Sequence, residues 1–239
     1  MMWITWRRYR VRLVLLTLYV LALIVCMLLT EHQIPSLVTS CGSVVTLSAH
    51  GRACVAAGSH VFSRDQFIVL GITLTPVLMA VFLGAPLVAS EYEAKTNRLA
   101  WAQGVTRTKW LLVTWLTLTI PAIVLMSLLE LATSWWATHV YGIALSGRIQ
   151  SVPTGLTGMT PVAIALFAVS FGTCLGAFLR SSSMSGAATL IGLVVVLTLI
   201  SIKVYGPQPL SQWGLAGIYV LLATASLGLS VWAVRRRRA

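Results

Sequence analysis

Residues able to do chemistry are scarce in this chain. The 239 residues include five carboxylates (Glu31, Asp65, Glu91, Glu93 and Glu130), four histidines and four cysteines. His32, His50, His60 and His139 all fall between long apolar runs. His50, Cys54 and His60 lie close in sequence, but their spacing matches no familiar zinc pattern, so they read as solvated loop residues. There is no G-x-x-x-x-G-K-[ST] phosphate loop and no Gly-Lys pair anywhere. H-E-x-x-H and G-x-S-x-G are also missing. No catalytic, metal or cofactor site is expected in this chain.

Cys41 and Cys54 share one segment between apolar runs. A disulfide closing that segment is expected, with two free thiols as the alternative. A bridge requires Cα atoms about 4.4–6.8 Å apart. Cys26 and Cys174 sit inside apolar runs and read as packing residues.

The elements that hold these residues follow from composition. The chain is 58% hydrophobic and 9% charged, whereas soluble domains run near 25% charged. Six apolar runs stand out: Leu13–Leu29, Phe67–Ala89, Trp110–Leu131, Pro161–Leu179, Met184–Ile202 and Gly214–Val234. A span needs about 20 apolar residues. Backbone groups in lipid must be satisfied within the segment, so all six read as helices. A β-barrel would instead show alternating segments of about 10 residues. The expected fold is all-α, a single membrane domain over residues 1–239. Its polar parts are residues 1–12, an outer loop at 30–66, a cytoplasmic segment at 90–109 and a second outer loop at 132–160. The run after Arg7, Arg8, Arg10 and Arg12 is too long for a signal peptide and lacks a cleavage site, so it reads as an uncleaved span.

Orientation follows from Lys and Arg. With the N-terminus inside, 13 of the 17 basic residues lie in cytoplasmic segments and 4 in outer ones. That bias puts both termini in the cytoplasm. The net charge of +12 does not point to nucleic acid, because the cations cap apolar runs instead of alternating with aromatics along a polar groove.

Other features have a structural reading beside a functional one. Gly172 and Gly176 form a small-xxx-small pair, an allowance for close helix packing and a candidate interface or pathway site. Glu130, near the outer end of the third span, reads as an interfacial residue and a candidate substrate contact. Pro76 and Pro121 should kink their spans, whether to line a cavity or only to pack. Trp3, Trp6, Trp110, Trp135, Trp136, Trp213 and Trp232 read as an interfacial belt. Residues 1–12 read as an interfacial amphipathic helix or as a plain orientation signal. The four acids other than Glu130 lie outside the spans, which disfavours an ion-coupled carrier.

The stretch Gly84-Ala85-Pro86-Leu87 is followed by Glu91-Tyr92-Glu93-Ala94-Lys95-Thr96-Asn97-Arg98-Leu99-Ala100-Trp101 and, later, Arg107-Thr108-Lys109-Trp110. It resembles permeases of the type 2 ABC exporter family, especially an actinobacterial-looking branch. Those carry G-A-P-L and then E-x-E-x-G-T-x-R-L-A-W, with Lys95 here standing where glycine is usual. The opening Trp3-Ile4-Thr5-Trp6-Arg7 resembles the same branch. The resemblance implies a permease subunit in a bacterial plasma membrane, paired with a second permease half. It also implies that a coupling helix docks on a separate ATPase, which would bind ATP and Mg. Glu91, Glu93, Thr96, Arg98 and Trp101 would lie at that junction. An amphiphilic substrate suits spans with few charges. The rival readings are a non-transporting immunity, sensor or scaffold subunit and an ion-coupled carrier.

Overall fold

The structure is a computed structural model that describes residues 2–31, 66–93, 106–142, 158–179, 181–204 and 211–236. Six helices occupy these residues: α1 (Met2–Glu31), α2 (Gln66–Glu93), α3 (Arg107–Gly142), α4 (Thr160–Leu179), α5 (Ser182–Val204) and α6 (Gln212–Arg236). All six are long and apolar enough to cross a membrane, and there is no strand among the described residues. The chain is a multi-pass, all-α membrane protein.

Helix starts are set by local chemistry. Thr106 Oγ1 accepts the Lys109 N–H at 3.4 Å ahead of α3, and Ser211 Oγ accepts the Gly214 N–H at 3.2 Å ahead of α6. Each hydroxyl satisfies a first-turn donor that the helix leaves open. Within the spans, Ser and Thr hydroxyls donate back to the carbonyl a turn earlier, as Thr114, Thr133, Thr173 and Ser230 do. This removes their polar cost in an apolar medium.

Cross-helix contacts fix the order of the bundle. Tyr9 meets Pro86, Arg235 meets Thr108, and Glu93 meets Ser182. One face therefore gathers the starts of α1, α3 and α5 with the ends of α2 and α6, and this is the face expected to be cytoplasmic from the basic bias. Glu130 meets Gly158 on the opposite face. α4 is the central helix and packs against α2, α3, α5 and α6. Its small residues Ala163, Ala165, Ala168, Gly172, Gly176 and Ala177 are all buried, which lets four neighbours approach its axis. A helix that is apolar all round belongs inside a bundle. On α4, Phe167 stacks obliquely on Phe171, with centroids 5.5 Å apart, and on Tyr219 of α6, at 6.0 Å.

Residues 2–12 continue without a break into the first span, as one helix from Met2 to Glu31. Two expectations change. α3 continues to Gly142, eleven residues past its expected end at Leu131, so the segment 132–160 opens with three helical turns. No Pro or Gly interrupts that stretch, and at 1.5 Å per residue the helix is about 54 Å long, well beyond a bilayer core. Trp110 and Trp136 are core residues, at 6% and 1% exposure, whereas Trp135, Trp213 and Trp232 are exposed. Adjacent residues on a helix point 100° apart, so Trp135 and Trp136 cannot both face lipid.

Candidate functional site: the inner end of α2

The motif Gly84-Ala85-Pro86-Leu87 occupies a joint in α2. Residues Ala80–Gly84 form a π turn, closed by the Ala85 N–H donating to Ala80 O. Pro86 follows at once and has no N–H for the carbonyl four residues back, Phe82 O. Arg12 of α1 supplies the missing donor, with Nη1 3.3 Å from Phe82 O. The Arg12 guanidinium also lies over the Tyr9 ring, 5.2 Å from its centroid. Tyr9 Oη donates to Pro86 O at 3.1 Å and lies 3.4 Å from Ser90 Oγ. Ser90 Oγ itself donates to Pro86 O at 2.5 Å. Thus α1 braces α2 on both sides of the proline. Tyr9 is buried, and a net hydrogen bond is worth about 1 kcal/mol. Tyr9→Phe should therefore lower the melting temperature in detergent by about 2–4 °C. Wild-type melting would mean that Ser90 alone holds that carbonyl.

The other side of the joint meets α4 backbone to backbone. A Cβ on Gly84 would lie 2.6 Å from Val169 O, and one on Gly172 would lie 2.7 Å from Ala80 O and 2.9 Å from Ala85 N. A Cβ on Gly176 would press into Ala85 O. Ser185 of α5 donates to the same Ala85 O at 3.4 Å. Gly172 and Gly176 thus seat the π turn and the start of the following helix. They serve a helix contact within one chain.

The two acids at the end of α2 are placed differently from each other. Glu93 is exposed, and its Oε1 accepts the Ser182 N–H at 2.9 Å. The carboxylate thereby sits at the positive end of α5, a favourable place for negative charge. Glu91 lies half-buried two residues earlier. Both belong to the last turn of α2 itself, which runs to Glu93. On the opposite face Glu130 Oε1 accepts the Gly158 N–H at 2.9 Å, in the turn ahead of α4. Gly158 has a positive φ of 79° just ahead of α4, a conformation that suits glycine. Thr96, Arg98, Trp101, Cys41 and Cys54 lie outside the described residues. No group of three or more His, Cys, Asp or Glu side chains that could hold a metal occurs among the described residues.

Tyr9, Arg12, Ser182 and Ser185 were not singled out from the sequence as site residues. The available signal was Pro86 near the end of an apolar run, which obliges some donor to satisfy a freed carbonyl. Nothing in the linear order points to Arg12, 70 residues away from Phe82.

No curated protein and no solved structure matches the chain. A family match covers residues 16–204, from the body of α1 through α5, and takes in the π turn, the glycine contact and the Glu93 cap. On that match, the chain belongs to the family described as ABC-2 membrane transporter related.

Proposed function

We propose that this chain is the membrane-spanning permease subunit of an ATP-driven exporter. Two such halves, identical or related, would flank the path, and separate ATPase subunits would bind ATP and Mg below. The observation that carries the reading is the braced joint in α2. The helix that delivers the chain into the 90–109 segment is held by α1 through Tyr9 and Arg12 and by α4 through Gly172 and Gly176. A push on that segment is therefore passed to the central helix and does not dissipate in a loose loop. Family membership and the missing phosphate loop support a division of labour in which ATP is hydrolysed by a partner. The apolar spans suit an amphiphilic cargo, such as a drug-like compound, a peptide or a lipid. Glu91 and Glu93, with Thr96, Arg98 and Trp101 beyond them, are the proposed docking residues.

The test is purification of the tagged chain from its native membrane. An ABC ATPase should accompany it, and vanadate-sensitive ATP hydrolysis should appear only in the complex. Hydrolysis by the isolated chain, or capture without any ATPase, would overturn the proposal.

A further inference from the structure

We infer that the adjoining ends of α3 and α6, where Arg235 meets Thr108, form a binding site for the phosphate headgroup of an anionic phospholipid. The argument starts from helix register. On α6, Ile218, Leu221, Leu229 and Trp232 are exposed apolar residues on one stripe. Arg236 lies five turns after Ile218 and one turn after Trp232, so it ends the same stripe. Its guanidinium stacks over the Trp232 ring, 4.7 Å from the centroid. On α3, Leu116, Ile120 and Leu131 are exposed, and Lys109 lies two turns before Leu116 on that stripe. Lys109 is itself exposed. The two lipid-facing stripes thus each finish in a cation at the inner face.

A cross-helix hydrogen bond draws these ends together. Arg235 Nε donates to Thr108 Oγ1 at 3.0 Å, which places Lys109 and Arg236 each one residue from the contact. The bond uses one of the five N–H donors of the guanidinium, and its acceptor is a neutral hydroxyl. None of Lys109, Arg235 and Arg236 has a carboxylate partner among the described residues. Three cations around apolar walls match a lipid, with acyl chains along α3 and α6 and a phosphate between the basic groups. A soluble protein would approach from below, whereas the Trp232–Arg236 pair faces outward at the level where aromatic side chains meet headgroups. Basic pockets between spans on the cytoplasmic side are known to take anionic headgroups.

The test needs only the purified chain and is independent of any ATPase, so its outcome is separate from that of the permease proposal. Native mass spectrometry in detergent would follow binding of dioleoylphosphatidylglycerol and of dioleoylphosphatidylcholine. Each cation lost near an anionic surface weakens attraction about fivefold. Lys109→Gln with Arg236→Gln should lower phosphatidylglycerol affinity about 25-fold. Arg10→Gln, at an exposed position on α1, should lower it less than about twofold, because Arg10 takes no part in the Arg235–Thr108 contact that gathers the three cations. Phosphatidylcholine binding should not change. Equal losses from Arg10→Gln, or none from the double variant, would overturn the site. A second arm avoids charge variants. Quenching by chain-brominated phosphatidylglycerol, taken as wild type minus Trp232→Phe, should exceed that by brominated phosphatidylcholine. Equal quenching by the two lipids would refute the assignment, and displacement by soluble glycerophosphoglycerol would show that the acyl chains are not needed.

Discussion

Valine at Gly176 is expected to lower the melting temperature of the detergent-purified protein by roughly 6–12 °C. A Cβ there runs into the carbonyl oxygen of Ala85, and the next nearest atoms are the Ala85 carbonyl carbon at 3.4 Å and the Ala89 nitrogen at 3.5 Å. All are backbone, so no side chain can rotate out of the way. The α2–α4 spacing must widen across the joint, and Leu83, Leu87 and Val169, each fully buried, lose contact. Overpacking of this kind costs about 3 kcal/mol, and each kcal/mol moves the midpoint of a chain this size by about 2–4 °C. Gly217 and Gly228 on α6 supply the control, because a Cβ at either meets nothing within 4 Å. Alanine there should stay within about 1 kcal/mol of wild type, since only helix propensity changes. A Gly176→Val protein that melts with the wild type would show that the α2–α4 contact is not tight in the membrane protein.

The second large effect concerns coupling and rests on the permease proposal. The pair Glu91→Ala and Glu93→Gln should leave the protein in the membrane but reduce ATPase co-purification about tenfold, the effect of losing roughly 1.4 kcal/mol of interface energy. Glutamine at 93 is chosen for a structural reason. Its carbonyl oxygen can still accept the Ser182 N–H, so the start of α5 keeps its cap while the charge is removed. Glu93→Ala would remove both and so confound helix capping with docking. If the acids confer specificity on a protein interface, neutralising them weakens the correct partner. If Glu93 serves only as a cap, Glu93→Gln behaves as wild type and Glu93→Ala alone unsettles α5. Wild-type co-purification together with wild-type coupled hydrolysis in the pair would remove both acids from the docking role.

The membrane architecture was legible because it depends on local quantities. Length and apolarity decide whether a segment can cross a bilayer, and the basic bias sets its direction. Both survive any rearrangement of neighbours. The ends were less legible, since α3 runs on from Leu131 to Gly142 through a mixed stretch holding Thr133, Ser134, Thr138 and His139, which a hydropathy reading treats as loop. A helix leaving the bilayer need not stop where apolarity does. Hydrogen bonding continues until a breaker arrives.

The sequence by itself determined six spans, the clustering of basic residues at one set of span ends, the lack of a nucleotide loop and the presence of small residues at 172 and 176. Each is a property of composition or of spacing along one helix. Only the tertiary structure decided what those residues touch. It placed Gly172 and Gly176 against the π turn of α2, gave Glu93 the start of α5 and Glu130 the turn ahead of α4, and turned Trp110 and Trp136 inward. It also brought Arg12 to the carbonyl that Pro86 leaves open. The physical reason is that a carboxylate, a glycine or an arginine in a span has many possible partners of equal chemistry. The choice among them is made by the distance and angle between helices, which no one-dimensional pattern records.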